Sequence, residues 1–171
     1  IGFAPSFNDL GDADLVVEAA AEDESVKRKI FSELCPHLKK EAKHKWGTKE
    51  PIPFRDSELY MVRLRAFGKY SFRVTDPALF VNSVVGTRQI GSTQSLGEYL
   101  RDIVVSRLND LLGENLKTVF DLPAVYDELA AGVKSRVAED FAKQGLELVD
   151  MLISAITPPE EVQKKIDERA S

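Results

Sequence analysis

The clearest pattern in the chain is a two-residue alternation between Leu59 and Val74. Tyr60, Val62, Leu64, Ala66, Tyr70, Phe72 and Val74 share one parity; Arg63, Arg65, Lys69, Ser71 and Arg73 share the other. Successive side chains of an extended strand point to opposite faces, so this spacing predicts one long, half-buried strand over 59–74. Met61 and Phe67 interrupt the polar parity, and Gly68 marks a bend or bulge. A tight hairpin at 67–69 is the competing reading. LELVDMLISAI at 146–156 is mostly apolar and predicts a second, central strand. ADLVVEAA at 13–20 predicts a short strand buried on both faces.

Helical spacing fills most of the rest. Val26, Ile30, Phe31, Leu34 and Leu38 predict a helix over 23–41, with Pro36 kinking or ending it early. Asp76 and Pro77 predict an N-cap followed by proline at the first helical position, opening a short helix over 77–84. Ser95 with Glu98 matches a capping box. It would open a helix carrying Leu96, Leu100, Ile103, Val104, Leu108 and Leu111 on one face, closed by Gly113. Asp121 with Pro123 starts another, striped by Val125, Leu129, Val133, Val137 and Phe141, with Gly145 at its C-terminal cap. Thr157-Pro158-Pro159-Glu160 reads as a capping box before a polar final helix. The Pro- and Gly-rich stretch 46–56 and the stretch 85–93 read as loop or edge segments. Trp46 and Phe54 read as a cover over one end of the core, with an exposed anchor as the competing reading.

At 171 residues the chain fits one domain of ordinary size with a single core. A hydrophobic content of 43% and a charged content of 30% are those of a globular protein. The net charge of −5, with bases mixed among acids, argues against nucleic-acid binding and gives no polybasic run for anionic lipid. The single Cys35, inside the predicted first helix, excludes an intramolecular disulfide and points to a reducing compartment. No apolar run approaches the ~20 residues a membrane-spanning helix needs. The chain opens on Ile1 rather than Met, which reads as a fragment or trimmed chain.

Candidate chemistry is sparse. His37 and His44 have no obvious ligand partners, and the acids at 22–24 and 160–161 open predicted helices, where they complement the dipole. No P-loop and no G-x-S-x-G occurs. Arg63, Arg65, Lys69 and Arg73 form a basic stripe on the outer face of the long strand. It reads either as a solvated face paired with helix acids or as a subunit contact with an acidic surface such as the final helix.

Two resemblances divide the chain near 42–46. DADLVVEAAAEDESVKRKIFSEL resembles the NAD-binding domain of 3-hydroxyacyl-CoA dehydrogenases over residues 10–42. Carried over by motif, it implies Ala19, Glu22 and Lys27 as the positions nearest the nucleotide. The features that would complete such a site are absent. No G-x-G-x-x-G occurs, KHKWGTKE stands where the family has its Asn-Thr-Ser stretch, and neither histidine matches the catalytic one. No cofactor is expected.

WGTKEPIPFRD, RLRAFGKYSFRVTDPALF, YLRDIVVSRLNDLLG and GLELVDMLISAITPPEEV, in that order, resemble the SPFH (stomatin, prohibitin, flotillin) or band 7 superfamily. The bacterial virion core protein-like group is the nearest in pattern. The resemblance implies an α+β domain with a curved antiparallel sheet flanked by helices. It also implies side-by-side assembly on membranes and a scaffolding role without a catalytic site. The division is then a dehydrogenase-like strand-helix fragment at 1–44, a partial SPFH domain at 45–157, and the start of a C-terminal helix at 158–171. The family's first strands should precede Trp46, and its coiled coil should follow Ile166. Their replacement predicts an unpaired edge on the long strand, onto which the run at 13–20 could add. The expected function is a non-enzymatic, self-associating scaffold with membrane-associated protein partners, no nucleic acid and no transmembrane segment. The expected location is cytoplasmic and peripheral to the inner face of the membrane. The alternatives are a remnant of an NAD-dependent 3-hydroxyacyl-CoA dehydrogenase and a cytosolic partner-binding adaptor.

Overall fold

A computed structural model describes residues 42–86 and 93–171. The expected strand at 13–20, the expected helix at 23–41, and Ala19, Glu22, Lys27, Cys35 and His37 lie outside the described residues. The fold is α+β, an open four-stranded antiparallel sheet flanked by helices. The strands are β1 (Ala42–Gly47), β2 (Ile52–Asp56), β3 (Tyr60–Val74) and β4 (Leu146–Thr157). The helices are α1 (Pro77–Phe80), which runs on into a π-helical turn (Val81–Gly86), then α2 (Thr93–Asn115), α3 (Leu122–Ala142) and α4 (Glu160–Ala170).

The alternation over 59–74 becomes β3, one continuous strand, which rules out a hairpin at 67–69. β3 is the centre of the sheet. β2 pairs with its first part, Asp56 opposite Tyr60 through Ile52 opposite Leu64. β1 pairs with its second part, Gly47 opposite Phe67 through Ala42 opposite Phe72. β4 pairs from Arg65 to Val74, on the side away from β1. The expected unpaired edge on the long strand is therefore filled, by β1 and β2. These two strands decide the loop-or-edge reading of 46–56 for an edge, with 46–47 closing β1 and 52–56 forming β2. Each is short, and Pro53 sits in an edge strand, the one sheet position that tolerates a residue without an N–H. β4 is corrected as well. Among the described residues it pairs with β3 alone, so it is an edge strand, and its apolar Val149 and Leu152 are exposed. Two register shifts, at Phe67/Gly68 and Ser71/Phe72, leave an extra residue in β4 at each and realise the irregularity expected at Gly68. A Cβ at Gly68 would run into the Leu152 carbonyl and the Trp46 indole nitrogen, so only glycine fits there.

One face of the sheet is the core. Val62, Leu64, Ala66, Tyr70 and Phe72 of β3 are buried beneath α2 and α3. α2 contributes Leu96, Leu100, Val104, Leu108 and Leu111, as its spacing predicts, together with Leu112. α3 contributes Leu129, Val133, Val137 and Phe141, while Val125 and Ile103 are half-buried. Phe141 meets Tyr70 and Phe72 edge-on at 6.0 and 6.1 Å, a favoured aromatic geometry. Trp46 and Phe54 are buried, as expected. Tyr60 is not: at 87% exposure and φ 66° it ends the alternation at the β2–β3 turn.

The helix ends are only partly as read. Asp76 caps α1 by accepting the Leu79 N–H at 3.0 Å, with Pro77 first in the helix. Ser95 lies inside α2, which already runs at Thr93, and α2 passes through Gly113 to Asn115. Asp121 makes no side-chain cap; Thr118 caps a 3-10 turn (Val119–Asp121) that leads into α3. Thr157 ends β4 rather than capping α4, whose N-cap position is Pro159. Gly145 follows α3 at φ 77°, and its carbonyl accepts the N–H groups of Thr75 and Asp76 at 2.9 and 3.0 Å. One residue thus ends a helix and ties the close of β3 to the start of β4.

Asp56 is the polar tie. It is buried and accepts the N–H groups of Val119 at 2.8 Å, Glu58 at 2.8 Å and Leu59 at 3.0 Å. The β2–β3 turn is thereby fixed to the connection between α2 and α3. Burial pushes this carboxyl up, but the three N–H groups and Thr118 outweigh it and hold it below the usual aspartate range. α4 is mostly polar, docking through half-buried Val162 and Ile166 and through Arg169, which stacks 3.8 Å over Phe120 and pairs with Glu58 at 2.7 Å.

Candidate interaction face

Residues directly opposite each other in an antiparallel pair project from the same side of the sheet. The register therefore maps the side away from the helices. On β1, Lys43 lies opposite Ser71, and Lys45 opposite Lys69. On β2, Arg55 lies opposite Met61, and Pro53 opposite Arg63. On β4, Leu152 lies opposite Lys69, Ala155 opposite Phe67, Thr157 opposite Arg65, and Glu147 opposite Arg73. Arg63, Arg65, Lys69 and Arg73 all sit on this open face, exposed. Lys43, Lys45 and Arg55 join them. Sequence reading missed these three because it placed them in the join and in a loop. The signal was present in AKHKWG, where Lys43 and Lys45 alternate with His44 and Trp46.

The charges on this face are poorly neutralised. Arg73 donates to Glu147, which holds that carboxyl below its usual range. Lys43, Lys45, Arg55, Arg63, Arg65 and Lys69 form no ion pair among the described residues. Among them stand Met61, Phe67 and Leu152, at 59%, 53% and 56% exposure. A chain of net charge −5 thus concentrates cations and exposed apolar groups on one flat surface. An open pocket of about 400 Å³ lies within it, lined by Lys43, Lys45, Lys69, Ser71, Asp150 and Leu152. Asp150 is engaged: it accepts the Met151 N–H at 2.8 Å and pairs with Lys134 at 3.3 Å, and both hold it below the usual range.

Catalytic chemistry finds few materials. His44 stacks beside Tyr70 and Phe72 at centroid distances of 5.6 and 5.4 Å, and those two rings lie 6.1 Å from each other. Burial pushes the Tyr70 phenol up to about 12, against the lowering effect of Arg101, so it stays neutral. Among the described residues no three His, Cys, Asp or Glu side chains gather as metal ligands, and no helix is long and apolar enough to cross a membrane. A cleft between α2 and α3 is bridged by Arg107, whose guanidinium donates to Asp140 at 2.6 and 3.0 Å. That pair joins two helices and serves the fold.

Comparison with known proteins agrees with both resemblances. The 3-hydroxyacyl-CoA dehydrogenase NAD-binding domain matches residues 1–43. Over 39 residues the chain is 62% identical to a 3-hydroxybutyryl-CoA dehydrogenase of Bradyrhizobium diazoefficiens, covering 23% of this chain and 13% of that protein. It is 26% identical over 137 residues to the uncharacterized protein YdjI of Bacillus subtilis, covering 77% of this chain and 41% of that one. The chain thus spans less than half the length of either relative. The SPFH domain–Band 7 pattern matches residues 37–171, from just before β1 to the end of α4. The four-stranded sheet, its helices and the open basic face all lie inside that match, and the chain belongs to the SPFH domain–Band 7 family.

Proposed function

We propose that this chain is a non-catalytic scaffold unit that self-associates and organises membrane-associated assemblies, and that the open sheet face is its contact surface. The observation that carries this reading is the set of unpaired cations around exposed Met61, Phe67 and Leu152 on a face no described helix covers. Interfaces are enriched in arginine, methionine and aromatic residues. Two copies cannot meet face to face through it, because like charges would oppose each other. The contact is heterologous: Arg63, Arg65, Lys69 and Arg73 of one copy meet an acidic surface of the next, such as the first turn of α4 with Glu160 and Glu161. Repeated heterologous contacts build rings or open chains.

In this reading residues 1–44 are a passenger fragment, 45–157 the working domain, and 158–171 the start of an assembly helix. The virion core protein-like grouping and a peripheral cytoplasmic location belong to the same proposal. A dehydrogenase remnant with Ala19, Glu22 and Lys27 near a nucleotide is the weaker reading, because KHKWGTKE stands where that family has its Asn-Thr-Ser stretch. Light scattering of the eluting protein over a concentration series tests the proposal. Discrete, reversible oligomers are expected. A monomer at every concentration would overturn self-association and leave the adaptor reading.

A further inference from the structure

Two features of the open face meet at one place. Lys45 and Lys69 are direct cross-strand partners, an arrangement of like charges that weakens a sheet. Lys43 stands two residues along β1 on the same side. The nearby carboxylate, Asp150, is taken by Lys134, and these three lysines form no ion pair among the described residues. The second feature is Ser71, opposite Lys43 and only 6% exposed. Its hydroxyl forms no hydrogen bond among the described residues and is not one of the fully buried unpartnered atoms, so it is open to the pocket it lines. Ser71 and the three lysines line the same pocket of about 400 Å³.

One kind of ligand relieves the first feature and engages the second. It must be anionic, and it must offer acceptors to three ammonium groups and a hydroxyl placed across two strands. Cross-strand Cβ atoms lie ~5 Å apart and same-face neighbours along a strand ~7 Å apart. The flexible lysine stems close that gap, so the ammonium groups can converge on one centre. A carboxylate offers two coplanar oxygens. A phosphate group offers a tetrahedral set and up to two negative charges, and lysine binds it as a point charge. The exposed side chain of Leu152 forms one wall and suits the carbon portion of a phosphate ester.

We propose that Lys43, Lys45, Lys69 and Ser71 form a binding site for a phosphate group, carried either by a soluble ester or by a phospholipid headgroup. The site goes beyond the scaffold reading and does not require self-association. Its ammonium groups are held together at some expense of stability, as binding sites often are.

Thermal unfolding in inorganic phosphate, against chloride of equal ionic strength, tests the site. It is run on the wild-type chain, Lys45→Gln/Lys69→Gln and Ser71→Ala, with Arg63→Glu/Arg65→Glu as the control for the scaffold contact. Phosphate raises the wild-type Tm, and the double lysine variant loses that response. Removing one lysine weakens phosphate binding about tenfold, the worth of one charge-assisted hydrogen bond. Without phosphate, the double lysine variant melts no lower than wild type and about 1–2 °C higher if the repulsion is relieved, which shows that it folds. The arginine control keeps the phosphate response even if its assembly is lost, so the two proposals fail separately. Co-sedimentation with phosphatidylglycerol vesicles, against phosphatidylcholine, distinguishes the sources. If inorganic phosphate is silent but the anionic vesicles retain wild type and not the lysine variant, the phosphate is that of a lipid. If neither probe separates wild type from Lys45→Gln/Lys69→Gln, the site is overturned.

Discussion

The two faces of this sheet are built from the same strands, and often from adjacent residues, yet they serve opposite ends. Leu64 and Ala66 point into a core closed by α2 and α3; Arg63 and Arg65, one residue before each, point away from every described helix. The covered face is apolar and buried, so its side chains are fixed by shape. The open face carries cations that lack partners and apolar groups that lack cover, so nothing in the fold explains their choice. Where packing accounts for a residue, it supports the fold. Where neither packing nor pairing does, the residue is a candidate for function.

Breaking the covered face should have the largest effect. Phe141 is fully buried against Tyr70 and Phe72. Phe141→Ala is expected to lose about 3–5 kcal/mol of stability, read from urea unfolding. Asp56→Ala strands three backbone donors and should lose on the order of 3 kcal/mol. Asp56 also gives this region a pH signature. Its folded pKa is depressed, so its contribution is complete above the ordinary aspartate pKa of about 4 and disappears as pH falls through the folded value. The urea midpoint should therefore fall in acid, and Asp56→Asn should flatten that dependence.

Gly145→Ala forces a side chain into positive φ and against the Asp76 carbonyl. The expected loss is about 1–2 kcal/mol by the same measurement. At the small end, Arg63→Glu with Arg65→Glu on the open face should change stability by only about 0.5 kcal/mol. An effect there as large as at Phe141 would erase the distinction between the faces.

Much of the covered face was legible in the sequence. β3 declares itself by parity, and α2 and α3 by stripes that end up buried, because burial on one side imposes a period. What was hidden followed from shortness and context. WGTKEPIPFRD conceals β2 because Pro51 and Pro53 suggest a loop, while an edge strand of five residues accepts proline where a central one would not. The apolar character of β4 suggested a central position, but it is an edge strand, with exposed Leu152 on the open face and exposed Val149 at a register shift. Ser95 with Glu98 and Thr157 with Glu160 had capping-box spacing, yet one pair lies within a helix and the other begins in a strand; spacing alone does not fix backbone direction. The candidate face was half legible. The stripe on β3 could be read directly. Lys43, Lys45 and Arg55 reach it only through register, which depends on partners distant in sequence.

If the open face makes contacts and the covered face makes the fold, one pair of samples separates the two. The molar mass of wild type and of Arg63→Glu/Arg65→Glu is measured by light scattering at matched concentrations, with melting recorded on the same samples. A smaller assembly for the variant and an unchanged Tm are expected. An unchanged mass would contradict the contact, and a collapsed Tm with it would place those arginines in the fold instead.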